Sequence, residues 1–97
     1  MVTKDKKEKN TVFIGKKDFM AYVLAVIAQF NNGEKTVVIK ARGRAISMAV
    51  DVAEVTRMRF VTGVNVKDVN ISTEEIKRDE MDRPNKVSAI EIILVKG

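Results

Sequence analysis

The stretch that decides the fold is Val37-Val38-Ile39-Lys40-Ala41-Arg42-Gly43-Arg44-Ala45-Ile46-Ser47. The β-branched run at its start is typical of a short strand that is buried beneath helices. Gly43 allows a tight turn between two arginines because it has no Cβ atom to clash. From Ala45 onward the apolar spacing becomes that of a helix. The stretch therefore predicts a strand, a cationic turn and a helix N-terminus, where free amide N–H groups and the helix dipole favour an anion.

The same pattern occurs once earlier in the chain. Residues 11–18 run Thr11-Val12-Phe13-Ile14-Gly15-Lys16-Lys17-Asp18, which predicts a strand, a glycine, two cations and a helix with Asp18 as its N-cap. If the two strands are parallel, both turns lie at the same edge of the sheet. One cationic patch would then form from Lys16, Lys17, Arg42 and Arg44. A polyanion is the ligand that this patch favours, and the alternative is a set of solvating charges at strand ends.

The composition is that of a small basic protein. Its 97 residues fit one domain with a modest core, and 18 basic against 13 acidic residues give a net charge of +5. This surplus favours nucleic acid or another anionic surface as a partner. Cysteine and histidine are absent, which excludes disulfides, Cys/His zinc sites and imidazole catalysis. No segment has the pattern of a membrane span or a secretory signal, so an intracellular location is expected.

The predicted order of elements is β-α-β-α-β-β. The first two strands are predicted at residues 11–14 and 35–41, and the helices at about 18–31 and 44–60. Right-handed crossovers would place both helices on one face of a mixed four-stranded sheet, giving an α/β architecture of the two-layer α+β sandwich type. Residues 1–10 are polar and lack periodicity, which predicts a flexible basic tail before a single domain at 11–97.

The last two strands are predicted to form an extended hairpin. Alternating apolar residues at 64–73 predict the third strand, with a bulge where the alternation slips at 67–68. Residues 87–95 predict the fourth strand. The charged segment 74–86 between them, with a turn at 82–85, would form an arm about 20 Å long at ~3.4 Å per residue. The fourth strand is apolar on both faces, which indicates either a central strand covered twice or contact with another protomer.

The sequence gives little support for an enzyme. Ser47, Asp51 and Glu54 are possible catalytic residues, but no pair of carboxylates in a dry pocket is evident. The nucleotide-binding patterns G-x-x-x-x-G-K-[ST] and G-x-G-x-x-G do not occur. We therefore expect no catalytic residue, no cofactor, no metal site and no small-molecule substrate.

Five segments carry a resemblance to a known family: Val12–Lys17, Val38–Ser47, Ala49-Val50-Asp51, Arg57-x-Arg59-Phe60 and Val87-Ser88-x-Ile90-Glu91-Ile92. They closely resemble the Alba family of archaeal chromatin proteins, and the resemblance extends over nearly the whole chain from Thr11. It implies a dimer of β-α-β-α-β-β protomers related to the C-terminal domain of a bacterial translation initiation factor. It also implies binding to duplex DNA with little sequence preference, and to RNA.

The resemblance also implies roles for individual residues. Lys16 and Lys17 would lie at the centre of the nucleic-acid surface and are candidate acetylation sites. The 74–86 arm would follow the minor groove, and Phe60 would contact a neighbouring dimer on DNA. Met48 departs from the family, because several relatives carry Lys there, and the net acidic hairpin is a second departure. The complete set of predicted nucleic-acid-binding residues is Lys16, Lys17, Lys40, Arg42, Arg44, Arg78, Arg83 and Lys86.

The functional prediction is a homodimer that binds double-stranded DNA, coats or compacts the archaeal chromosome in the cytoplasm, and also binds RNA. Contacts between protomers are expected through the second helix and the third and fourth strands, with higher-order assembly on DNA and no membrane partner. The alternative prediction is an RNA-binding subunit that acts in RNA processing or protection through the same surface.

Overall fold

A computed structural model describes residues 10–77 and 84–97 of the chain. The main elements follow the predicted order: β1 (Thr11–Phe13), α1 (Phe19–Asn31), β2 (Thr36–Arg42), α2 (Ile46–Val55), β3 (Val64–Lys77) and β4 (Pro84–Lys96). The predicted fold class, a mixed four-stranded sheet with two helices, is confirmed. Of the predicted tail, Asn10 is described and donates a side-chain hydrogen bond to the Thr36 carbonyl, while residues 1–9 lie outside the described part.

The sheet has the strand order β1-β2-β4-β3. β1 and β2 are parallel, which is the condition under which the two cationic turns were expected to meet, and β4 pairs antiparallel with both β2 and β3. The carboxyl ends of β1 and β2 therefore lie side by side at one edge of the sheet. The predicted bulge is confirmed, because the register of β3 against β4 shifts between Val66 and Asp68.

The core lies between the two helices and one face of the sheet. Along β2, Val37 and Ile39 are fully buried while Lys40 lies on the opposite, open face. Each large apolar side chain buried in this layer contributes about 1.5–3 kcal/mol to stability. The packed layer thus fixes the strand ends relative to the helix N-termini. Its largest fully buried side chains are Val23, Val26, Val37, Ile39, Val52, Thr56 and Leu94.

The ends of α1 only partly follow the prediction. The helix stops at Asn32-Gly33 as predicted, where Gly33 has a φ of +98° that favours glycine. Asp18 occupies the N-cap position, but its side chain makes no capping hydrogen bond. The prediction that the Asp18 side chain caps α1 is therefore wrong. The turn before α1 is held by a tyrosine hydroxyl, described below.

The second helical region covers the predicted residues 44–60, but only its middle part is α-helical. It begins with a 3₁₀ turn at Gly43–Ala45 and ends with a π-helical turn at Thr56–Phe60. The wide final turn is closed by a 2.9 Å hydrogen bond from the Val61 amide to the Thr56 carbonyl. An extra residue in a turn rotates the positions that follow it. Two large apolar residues on this turn, Met58 and Phe60, remain exposed.

The hairpin is more regular than its charged sequence predicted. The 74–86 segment is paired strand as far as the Lys77–Pro84 pair, so residues 84 and 85 of the turn predicted at 82–85 are strand instead. The other half of that predicted turn, at 82–83, lies outside the described residues. Pro84 lacks the amide N–H that a strand inside a sheet donates to its neighbour. β2 ends opposite Ala89, so Pro84 lies in a two-stranded ribbon with no third strand beside it and is tolerated there.

The helices leave part of the sheet uncovered. α2 packs on β2 and β4, and the helix-side face of β3 carries the exposed residues Val66, Val69 and Ile71. On the open face, Ile93 and Val95 of β4 are half-buried. β4 is thus a central strand covered by helices on one face only. The larger exposed apolar surface lies on the neighbouring strand β3, because α2 does not extend over it.

Candidate nucleic-acid interface

The two cationic turns lie beside one another, as the parallel pairing of β1 and β2 requires. A groove of about 940 Å³ runs along this edge of the sheet. Lys16 reaches it from the turn after β1, and Arg42 and Arg44 reach it from the turn after β2. Lys40 lines it from the open face of β2. Lys17 is exposed in the same turn as Lys16 but does not line the groove.

The turn that carries Lys16 and Lys17 is organised from inside the protein. The Tyr22 hydroxyl accepts hydrogen bonds from the Gly15 amide at 2.8 Å and from the Lys17 amide at 2.7 Å. Tyr22 itself is buried in α1. A hydroxyl oxygen has two lone pairs, so it can hold two donors at once. These two contacts fix the loop so that both lysine side chains point into solvent.

This arrangement corrects one expectation about the loop. A phosphate docked at this turn was expected to meet free amides as well as ammonium groups, but the amides of Gly15 and Lys17 both donate to Tyr22. A phosphate at this turn would therefore meet ammonium groups and not these two amides. Sequence reasoning missed Tyr22, although the signal was present: it is the one tyrosine of the chain and lies in an otherwise apolar helix.

Gly43 shapes the second cationic turn as predicted. Its φ is +55°, in the left-handed region that other residues rarely adopt. The 3₁₀ turn begins at Gly43 itself, so Arg42 and Arg44 flank the glycine, and both are exposed. α2 then begins at Ile46 without a side-chain cap. The sequence therefore forms a short, sharp connection that presents two guanidinium groups at the groove.

Two of the groove's cations have carboxylate partners, which the sequence did not reveal. Lys40 Nζ lies 3.8 Å from Glu91 Oε2, and Arg42 Nε lies 3.3 Å from Glu74 Oε1. Asn70 donates a 2.9 Å hydrogen bond to the other Glu91 oxygen. Within residues 10–77 and 84–97, none of these carboxylates pairs with Lys16, Lys17 or Arg44. The strongest uncompensated positive charge therefore lies on the turns themselves.

The groove also contains an aromatic residue that sequence reasoning did not single out. Phe13 is 56% exposed, although its neighbours Val12 and Ile14 are buried in the core. Strand alternation explains the difference, since Phe13 lies on the open face of the sheet. Lys40 Nζ lies over its ring, 5.8 Å from the ring centroid, a distance within the range of cation–π attraction.

The remaining predicted residues are divided between the hairpin and the end of α2. Lys86 is exposed and pairs in register with Glu75 near the base of the arm. Arg78 and Arg83 lie outside the described residues. Phe60 is 49% exposed at the far end of the α2 region, away from the groove. The structure thus gathers Lys16, Lys40, Arg42 and Arg44 and separates Phe60 from them.

Arg57 has a more specific role than stabilising a helix dipole. Its Nε lies 3.0 Å from Glu54 Oε2, and a second guanidinium nitrogen donates to Oε1 at 3.1 Å. The hydrogen bond to Glu54, reinforced by its negative charge, raises the pKa of the Arg57 guanidinium. The pair is one turn apart on the helix surface. Glu54 is therefore engaged in an ion pair.

The other two residues considered for catalysis lie on the surface of the helix. Ser47 and Asp51 are both exposed on α2. Among the residues that the structure describes, no three acidic side chains cluster as a metal site requires. In that same part of the chain, no helix combines the length and the hydropathy that crossing a bilayer demands.

Comparison with known proteins agrees with this architecture. A model of the Alba family matches residues 10–73. "DNA/RNA-binding protein Alba 1" of Archaeoglobus fulgidus is 61% identical over 87 residues, which cover 90% of this chain and 96% of that protein. "DNA/RNA-binding protein Alba" of Methanothrix thermoacetophila is 58% identical over 89 residues, covering 92% and 98% of the two chains.

Among solved structures, Alba from Thermoplasma volcanium superposes with a TM-score of 0.83 at 44% sequence identity. The match covers 89% of this chain and 99% of that one. The family match spans both cationic turns. The chain belongs to the Alba family.

Proposed function

We propose that this protein binds double-stranded DNA with little sequence preference and coats or compacts the archaeal chromosome. The observation that carries the proposal is the meeting of two cationic turns at one edge of the sheet. Lys16 and Lys17 supply mobile point charges, and Arg42 and Arg44 supply forked guanidinium groups that suit phosphate oxygens. Contacts to phosphates bind any sequence alike.

Within this surface the residues differ in what they offer a phosphate. Lys16, Lys17 and Arg44 are exposed and make no ion pair within the described ranges, so they are the primary contacts. Arg42 and Lys40 face carboxylates of β3 and β4 and contribute less. Lys86, with Arg78 and Arg83, would extend the contact along the hairpin arm into the minor groove.

RNA is the second proposed ligand of the same surface. The similar proteins of Archaeoglobus fulgidus and Methanothrix thermoacetophila are both named DNA/RNA-binding. RNA presents the same phosphate charge, and its contacts differ mainly in the 2′-hydroxyl and the helix geometry. A role as an RNA-binding subunit in processing or protection would use the same turns.

The proposed functional unit is a homodimer. An exposed apolar strip on β3 is formed by Val66, Val69 and Ile71, whose residues are 38%, 48% and 78% exposed. A strip of this kind next to α2 favours burial against a second copy. A two-fold axis there would present the cationic turns twice on one assembly. Phe60, outside this strip, is the proposed contact between dimers that lie side by side on DNA.

The experiment that tests the proposal is a titration of duplex DNA and structured RNA with the full chain at several salt concentrations. A linear fall of log K with log salt, equal for unrelated DNA sequences, is expected of binding through phosphates. A slope near zero, or a strong dependence on base sequence, would contradict it. A higher affinity for RNA at every salt concentration would favour the RNA-processing role.

A further inference from the structure

Phe13 is exposed on the open face of the sheet, although exposure of an aromatic ring there adds nothing to the stability of the fold. It lies at the end of β1, directly before the turn that holds Lys16, and it lines the same groove as the cations of both turns. A large exposed apolar side chain within a charged groove is unusual for a purely electrostatic surface, because it offers nothing to a phosphate. The ring therefore points to a ligand that also carries a flat apolar part.

The surroundings of Phe13 form a row across all four strands. Phe13 pairs in register with Lys40, Lys40 with Glu91, and Glu91 with Asn70. Lys40 lies over the ring and also faces the Glu91 carboxylate, whose other oxygen accepts from Asn70. The row thus places an aromatic face, a cation, a carboxylate and an amide side by side on the open face.

This set of groups matches the chemistry of an unpaired nucleotide. Aromatic side chains stack on any base, and a basic groove follows the phosphates of a single strand. Amide and carboxylate groups can hydrogen-bond the edge of a base that is not paired. In a duplex, each base is already stacked and paired, so its flat face cannot reach Phe13.

We propose that the open face at Phe13 is a binding site for single-stranded nucleic acid, in which an unpaired base stacks on the Phe13 ring. The phosphates on either side of that base would lie toward Lys16 and Arg42. Asn70 and Glu91 would face the base edge. This inference rests on the proposed function in one respect, because it assigns the same cations to the phosphates. It adds a ligand class, the exposed base, that the duplex surface does not use.

A fluorescent variant tests the stacking contact directly. The chain contains no tryptophan, so Phe13→Trp introduces a single indole at the site. Titration with single-stranded octaadenylate, as RNA and separately as DNA, is expected to quench its emission saturably. Leu24→Trp is the matched control, since Leu24 is also exposed but lies outside the groove, and its emission is expected to stay constant. Unquenched emission of Phe13→Trp at saturating octamer would overturn the proposal.

Affinity measurements separate this site from the duplex surface. Phe13→Leu keeps an apolar side chain but removes the aromatic face, and it is expected to weaken octamer binding about 5- to 150-fold. Phe13→Tyr is expected to bind like the unaltered chain, and duplex DNA affinity is expected to change less than about twofold in both variants. Equal losses for duplex and octamer in Phe13→Leu would contradict the proposal, as would unaltered octamer binding.

Comparison of the RNA octamer with the DNA octamer shows which nucleic acid the site prefers. Equal affinity for the RNA and DNA octamers would support a site that reads base and phosphate alone. A preference for RNA would support the site with an added contact to the 2′-hydroxyl. If duplex binding persists while Phe13 variants have no effect on either octamer, only this inference fails. If the unaltered chain binds neither duplex nor octamer, the proposed function fails with it.

Discussion

The Nε atom of Arg42 lies 3.3 Å from Oε1 of Glu74, although their strands are not neighbours in the sheet. β4 lies between β2 and β3, and the residue of β4 opposite Arg42 is Ala89. Its short side chain leaves room for the ion pair to span the strand. Glu74, at the base of the hairpin, thus pairs with a guanidinium group that we propose as a phosphate contact.

Glu74→Gln is expected to raise the affinity for duplex DNA about 1.5- to 5-fold, because an exposed ion pair of this kind contributes about 0.2–1 kcal/mol. Glu75→Gln is the control, since it removes the same charge from the adjacent residue. The measurement is a titration of duplex DNA at low salt. If Glu75→Gln raises affinity equally, the effect arises from net charge and not from competition at Arg42.

Lys17→Gln is expected to weaken binding to every DNA sequence alike, because it removes a phosphate contact without altering the fold. The magnitude of the slope of log K against log salt should fall by about 0.9, or by up to about 1.8 if a dimer presents the site twice. Lys96→Gln removes an equal charge at the other end of the sheet and should leave the slope unchanged. An unaltered slope in Lys17→Gln would remove this turn from the docking surface. Acetylation of Lys17 should act in the same direction.

Tyr22→Phe keeps the buried ring but removes the acceptor of two loop amides. We expect a loss of about 1–2 kcal/mol in the free energy of unfolding, since each hydrogen bond contributes about 1 kcal/mol. Urea denaturation measures this loss. Hydrogen exchange at the amides of Gly15 and Lys17 should accelerate, and DNA affinity should fall although no charge has changed. Unaltered exchange at these two amides would show that the hydroxyl does not hold the loop.

Ile71→Ser is expected to shift the protein from dimer to monomer, because Ile71 is the most exposed of the three apolar residues on β3. Sedimentation at micromolar concentration and moderate salt measures the change. Leu24→Ser is the matched control, as Leu24 is an exposed apolar residue on α1, and it should remain dimeric. Sedimentation of the unaltered chain as a monomer would refute the homodimer itself.

Phe60→Ala should leave the fold intact and reduce cooperative coating of long DNA, because Phe60 is half exposed on the π-helical turn. Binding isotherms on long and short duplexes separate the two effects, since only the long duplex accommodates neighbouring dimers. Met58→Ala serves as a comparison on the same turn. If Phe60→Ala unfolds, the side chain belongs to the core and the contact between dimers is wrong.

The parts of the fold that depend on local pattern were predictable from the sequence. The two strand–glycine–cation units predicted two cationic turns, which would be neighbours if the strands were parallel, and the slip in alternation at 67–68 predicted the bulge. Both signals lie in consecutive residues. The partners of Arg42 and Lys40 were not predictable in this way. Glu74 and Glu91 reach them through the pairing of β2 with β4 and of β4 with β3, and that register is set by packing across the whole sheet.

The π-helical turn and the role of Tyr22 were missed for a related reason. The helical spacing of apolar residues does not indicate that the last turn will be a π-helical one. That wide turn depends on where Thr56 and Val61 pack. Tyr22 similarly acts on a loop five to seven residues earlier in the chain. In the sequence, its aromatic ring is indistinguishable from the other apolar side chains that α1 buries. Only the position of the hydroxyl in the structure shows the hydrogen bonds to the loop.

The hydroxyl of Tyr22 makes the shape of the lysine loop independent of the lysines themselves. Both of its hydrogen bonds go to backbone amides, so neither lysine side chain is needed to hold the loop. The charge presented at this turn can therefore be varied, by enzymatic modification or by mutation over evolution, while the geometry persists. An engineer could exploit the same separation by replacing Lys16 and Lys17 with other side chains, and so give the domain a new ligand on an unaltered scaffold.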